Sequence, residues 1–219
     1  MDGTVLDLRF DNFFWLEEVP RHYAERNGLE TGTALGELQR RIDAVRGTLD
    51  WYCVEYWSRE LALDVVALKR AHRHYIRFLP GATRFLEHAR SLGKRVLLTT
   101  NAHPATLAIK DQQVGLASRF DALISSHALG VPKEAHEFWQ RLASRESLAV
   151  GTTLFVDDSA PVIDAAHAAG VGWIYQVLQP DSTLPVASPR PDVPGIQSLA
   201  DLLAAQRNRP QVGNDLESL

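Results

Sequence analysis

Asp157 and Asp158 stand side by side directly after the apolar run Thr153-Leu154-Phe155-Val156. Two carboxylates that close repel each other, and a divalent cation is the common remedy. Upstream, Leu97-Leu98 leads into Thr99-Thr100-Asn101-Ala102-His103-Pro104. A hydroxyl, an amide and free backbone N–H groups at the start of a helix make a phosphate cradle. Lys133, in Gly130-Val131-Pro132-Lys133-Glu134, falls where the pattern predicts a helix start. A cation there opposes the helix dipole unless an anion is held nearby. Asp2-Gly3-Thr4 adds a further carboxylate and by itself carries no assignment. Each fragment also has a plain structural reading. Thr100-Asn101 and Asp157-Asp158-Ser159 are good helix caps, and a lone Lys is usually a solvated surface charge. Their order decides between the readings: four weak signals fall in sequence on four predicted strand ends, with helices between them.

The elements that must position them are legible from periodicity. Residues 12–77 show helical spacing and almost no strand signal. Phe13, Phe14, Leu16 and Val19 form one stripe that Pro20 is expected to interrupt, Leu35, Leu38, Ile42 and Val45 form a second, and 61–68 a third. From residue 79 short apolar runs at 95–99, 122–125, 153–156 and 172–177 alternate with predicted helices at 82–91, 105–113, 134–143 and 161–169. That alternation predicts βαβ units and a parallel sheet covered by helices on both faces. Open sheets of this kind bind ligands at the carboxyl ends of their strands, where the four fragments lie. Residues 179–194 hold five prolines and read as an extended loop. A last helix is predicted near 198–206, and 208–219 as a frayed end.

Composition narrows the function classes. Lys and Arg number 23 against 27 Asp and Glu, for a net charge of −4, which argues against the basic footprint of nucleic-acid binding. Cys53 is the single cysteine, so no internal disulfide forms, as in a reducing compartment. No basic-then-apolar leader and no apolar run of about 18 residues is present, so the expectation is a cytoplasmic protein with no membrane span. Oligomeric state leaves no signal.

Taken together, Asp2-Gly3-Thr4, Thr100-Asn101, Lys133 and Asp157-Asp158 resemble the four motifs of the haloacid dehalogenase superfamily phosphatases. The helical segment at 12–77 resembles the superfamily's inserted C1-type cap. The resemblance implies a Rossmann-like parallel α/β core at 1–11 and 78–207, a cap at 12–77, and a flexible tail at 208–219. More narrowly, Asn12-Phe13-Phe14-Trp15, Asp50-Trp51-Tyr52-Cys53, Glu55-Tyr56-Trp57 and 98–104 resemble the bacterial GMP/IMP 5'-nucleotidase family. The implied chemistry is phosphoryl transfer through an aspartyl-phosphate. Asp2 would protonate the leaving oxygen and later activate water. Gly3, Thr100, Asn101 and Ala102 would bind the phosphoryl group, and Lys133 would neutralise charge. Mg²⁺ would be held by Asp2 through its backbone carbonyl, by Asp158 and, directly or through water, by Asp157. The implied partner is a nucleoside monophosphate.

In the cap, Phe14 and Trp51 are expected to line the substrate site, and Trp15 and Trp57 to belong to the cap core. His103 would either touch the substrate phosphate or turn the chain before Pro104. Cys53 reads as a small buried hydrophobe. Alternatives are a phosphatase of other small esters and a non-catalytic nucleotide binder. The superfamily pattern D-x-D-G-T-[LV] places its nucleophile, and the central strand before it, ahead of Met1. The chain from Met1 onward is therefore expected to lack that strand and to be inactive. A start-site artefact or a truncation is the preferred account of this start.

Overall fold

The computed structural model describes residues 1–207. The expected frayed tail at 208–219 lies outside them. The chain begins in a tight turn, in which the Met1 carbonyl accepts from the N–H groups of Val5 and Leu6. Residues 5–7 then run beside 77–79: Leu79 N–H donates to the Val5 carbonyl and Asp7 N–H to the Arg77 carbonyl. Both connections to the helical segment therefore lie side by side.

That segment opens with α1 (Arg9–Phe13), a π-helical turn (Phe14–Glu18) and α2 (Val19–Asn27). Pro20 does not break this helix. It occupies the first turn of α2, where its missing N–H is not required, and the wide π turn precedes it. Then come α3 (Thr31–Val45), α4 (Leu49–Tyr52), α5 (Val54–Leu61) and α6 (Val65–Ala71). The predicted single helix over 61–68 divides here. Ala62 turns left-handed, and the Asp64 carboxylate accepts from Ala67 N–H at 2.8 Å to start a new helix. Phe14, Val19, Ala34, Leu38, Val54, Trp57 and Val65 close an apolar cluster belonging to this segment.

The remainder alternates helices and strands: α7 (Ala82–Ser91), β1 (Leu97–Thr100), α8 (Pro104–Val114), β2 (Ala122–Ser125), α9 (His136–Glu146), β3 (Leu154–Asp157), α10 (Ala160–Ala168), β4 (Trp173–Val177), β5 (Gly195–Ile196) and α11 (Leu199–Arg207). All ladders are parallel, with β1 on β2 and the order β3-β4-β5. These parallel strands fall into two short sheets, as in the expected α/β core without its central strand. Met1, Val5 and Leu6 share an apolar cluster with Leu98 of β1, against which Val156 of β3 packs. The strand β5 falls just after the stretch read as a loop, where Gln176 N–H finds the Pro194 carbonyl. α9 starts two residues later than the pattern predicts, because residues 132–135 form a turn of their own.

Candidate active site

The ends of β1 and β3, the turn after β2 and the N-terminal turn meet at one cavity of about 420 Å³. Lys133 precedes α9 by three residues instead of starting it, so the dipole argument does not apply. Its backbone N–H donates to Asn101 Oδ1 at 2.8 Å, and Asn101 Nδ2 donates to Glu134 Oε2 at 2.8 Å. The Asn101 amide thus splints the end of β1 to the Lys133 turn. Lys133 Nζ reaches Asp157 Oδ2 at 2.5 Å, with both side chains almost fully buried. Burial would push the Asp157 carboxyl up, but the Lys133 ammonium and the Ser159 N–H hold it below the ordinary range. Thr100 Oγ1 accepts from Ala102 N–H at 3.0 Å, and Thr100, Asn101 and Ala102 all line the cavity.

Asp158 has a different balance. Burial and the neighbouring Asp157 charge push its carboxyl up to about 7, and Thr4 Oγ1 donates to it at 3.3 Å. Gly3 makes that approach feasible. Its φ is +73°, and a Cβ there would lie 2.5 Å from Asp158 Cγ. Gly3 is thus placed against Asp158 and not on the cavity wall, where the phosphate-binding expectation put it. The amino nitrogen of Met1 is buried within the fields of Lys133, Asp157, Asp2 and Asp158.

Among the described residues no three His, Cys, Asp or Glu side chains converge as a metal cage. Asp2, Asp157 and Asp158 do line one cavity, but Asp2 gives its carboxylate to Lys110 and Asp157 gives its own to Lys133. A hard divalent cation still fits here. Mg²⁺ asks for one or two carboxylates plus water and substrate oxygens, and a cation would relieve the repulsion that drives Asp158 toward its neutral form.

Several participants escaped sequence reasoning. Lys110 Nζ bridges Asp2 Oδ1 and Asp11 Oδ2 at 2.5 Å each, and Lys69 Nζ meets Asp11 Oδ1 at 2.7 Å. Both lysines are essentially inaccessible. Burial pushes Lys69 down despite Asp11, whereas for Lys110 the Asp11 and Asp2 carboxylates outweigh burial and hold its pKa up. A signal existed: Lys69 follows Val65 by four, and Lys110 follows Leu107 by three, so each cation interrupts a buried apolar stripe. The Tyr52 hydroxyl donates to Glu134 Oε1, joining α4 to the Lys133 turn. Burial and the Glu134 charge push the Tyr52 hydroxyl above its ordinary range, so it remains a donor.

The aromatic expectations divide. Trp51 lines the cavity, and Trp57 is buried in the cap cluster while also touching the wall. Trp15, expected in that core, packs against it and also lines the cavity. Phe14 does not line it; fully buried, it packs under Lys69, whose Nζ lies 4.3 Å from its ring centre. His103 is also absent from the wall. Its Nδ1 accepts from Ala105 N–H to cap α8, and its ring packs edge-on against His127.

A sequence profile of the haloacid dehalogenase-like hydrolases matches residues 1–170. The chain belongs to this family. It is 39% identical over 182 residues to the GMP/IMP nucleotidase YrfG of Escherichia coli (strain K12), covering 83% of this chain and 82% of that protein. The haloacid dehalogenase-like fold recurs in solved structures. The HAD phosphatase from Thermococcus onnurineus superposes with a TM-score of 0.78 at 19% identity, over 94% of both chains. The HAD-hydrolase YfnB from Bacillus subtilis, bound to magnesium, gives 0.63 at 20% identity, over 94% of this chain and 95% of that one. The chain is accordingly a hydrolase of the haloacid dehalogenase-like family. Among the described residues no helix is long and apolar enough to cross a membrane.

Proposed function

We propose that this hydrolase removes the 5'-phosphate from purine mononucleotides, GMP and IMP, with Mg²⁺. The observation that carries the reading is the two-sided cavity. Its core side presents Lys133, Asp157, Asp158, Asp2, Thr100 and Asn101, while its helical side presents Leu16, Ile42 and Trp51. An anionic group bonded to a flat apolar body complements both sides. The 39% identity to a GMP/IMP nucleotidase supports the choice of ester.

Lys133, the Asn101 N–H and the Thr100 hydroxyl would hold the phosphoryl oxygens and offset their charge. Asp2 Oδ1 is occupied by Lys110, whereas Oδ2 accepts from no described residue. Oδ2 would therefore protonate the nucleoside oxygen as its bond to phosphorus breaks, then take a proton from the water that attacks the phosphoenzyme. Asp158, with help from Asp157 and the Asp2 carbonyl, would hold Mg²⁺, which would supply charge neutralisation. In aspartyl-phosphate chemistry the attacking carboxylate would stand beside the charges that surround the Met1 nitrogen.

Phosphate release from GMP, IMP and ribose 5-phosphate tests the reading, measured with Mg²⁺ or EDTA. Both the 219-residue chain and a form extended by an apolar strand ending in Asp should be assayed. Mg²⁺-dependent release from GMP and IMP by the extended form supports it. Turnover of sugar phosphates without nucleotides would sink the nucleotidase reading. Activity of the 219-residue chain equal to that of the extended form would remove the proposed nucleophile.

A further inference from the structure

Leu8 at the N-cap of α1, Asn12 within α1 and Leu16 in the π turn that follows all line the cavity with Ile42 and Trp51. Asn12 is a neutral polar group in this apolar setting. Its amide has a fixed orientation. Nδ2 donates to Asp181 Oδ2 at 2.8 Å, while Asp181 Oδ1 accepts from the Thr183 N–H and hydroxyl. Burial pushes the Asp181 carboxyl up, but the bonds from Thr183 and Asn12 hold it below the ordinary range. It is therefore an ionised, acceptor-only partner, and the Asn12 amide cannot flip without setting oxygen against oxygen. Oδ1 of Asn12 accepts from none of the described residues and is not among the buried polar atoms left without a partner. Asn12 lines the cavity, and with Nδ2 fixed on Asp181 its Oδ1 is an oriented acceptor without a donor among the described residues.

We propose that Asn12 reads the base, with Oδ1 accepting the N1–H of a 6-oxopurine. The inference rests on the nucleotidase reading and adds the residue that selects within that class. Hypoxanthine has a single N–H on its six-membered ring, at N1, and guanine shares it. One fixed acceptor serving both bases must therefore take that proton. Adenine presents a lone pair at N1, so the same placement brings two acceptors together. Leu8, Leu16 and Trp51 supply the apolar surroundings in which an unmade hydrogen bond is costly.

The test is equilibrium binding to the full chain with Mg²⁺, followed by tryptophan emission, since Trp15 and Trp51 line the cavity. The ligands are 5'-methylenephosphonate analogues of IMP, 1-methyl-IMP and AMP, which cannot be hydrolysed, together with ribose 5-phosphate. The IMP analogue should bind about tenfold or more tighter than the 1-methyl and adenine analogues. In Asn12→Ala that gap should close while ribose 5-phosphate binding is retained, which also reports an intact fold. Equal binding of the IMP and 1-methyl-IMP analogues by the unmutated chain would overturn the proposal, and that comparison needs no variant. A loss in Asn12→Ala shared by all four ligands would overturn it too, by assigning Asn12 to the sugar or the fold. If no nucleoside phosphonate outcompetes ribose 5-phosphate on the unmutated chain, the nucleotidase reading itself has failed and this inference falls with it.

Discussion

Lys110 Nζ sits 2.5 Å from Asp2 Oδ1, so the proposed proton donor is held by a buried cation from the helix that follows β1. The same ammonium holds Asp11, which in turn holds Lys69 of the helical segment. Two cations and two carboxylates therefore alternate from the core into the cap, and removing one member strands its neighbours.

Replacing Lys110 by Met leaves the half-buried Asp11 with one cation and the half-buried Asp2 with none. Unpairing a buried charge costs about 3–5 kcal/mol. The urea midpoint of Lys110→Met should fall accordingly, and adding Asp11→Leu should recover part of the loss. A midpoint equal to that of the unmutated chain would show that the network contributes no stability.

Lys133 is expected to supply the positive charge for the phosphoryl group. Lys133→Gln should weaken binding of inorganic phosphate, measured by calorimetry, by about tenfold or more, since charge-assisted bonds are worth roughly twice neutral ones. Unchanged phosphate affinity would assign the Lys133–Asp157 pair to structure alone.

Tyr52 fastens the cap to the core through Glu134. A hydrogen bond to a charged acceptor is worth about 1.5–3 kcal/mol. Tyr52→Phe should raise amide exchange across α4 and α5 with little change at β1 or β3. Exchange that rises equally in core and cap would point to global destabilisation and not to release of the cap.

Acid should loosen the paired connections at 5–7 and 77–79. Burial pushes the Asp7 carboxyl up, but the hydroxyl and N–H of Ser182, the Arg9 N–H and Arg77 outweigh it and leave Asp7 below its ordinary 3.8. A carboxyl depressed in the folded state contributes stability above the unfolded value, and this is lost as pH falls through the folded one. Urea midpoints should therefore drop below about pH 3.8, and Asp7→Asn should flatten that drop. An equally steep acid limb in Asp7→Asn would exclude Asp7 as a contributor.

How much was legible depended on the range of the interaction. The strand ends that carry Thr100 and Asp157 could be found from runs of four or five residues, because β periodicity and helix caps are local. Lys133 was found as a residue but misplaced onto a helix, since the Asn101 amide that takes its N–H lies 32 positions away. The single helix expected at 61–68 failed for a local reason that the sequence did carry, the capping Asp64. Phe14 was misassigned because an aromatic on an apolar stripe looks the same facing a ligand or a core.

By itself, the sequence determined the family, the order of its strand-end motifs and the residue types available for phosphate chemistry. Only the tertiary structure decided which charges meet. Asp2 finds Lys110 across 108 positions, Thr4 finds Asp158 across 154, and Asn12 finds Asp181 across 169. Such pairs are set by how helices and sheets pack, and no local period encodes them. The orientation of the Asn12 amide, fixed by Asp181, is therefore a property of the fold.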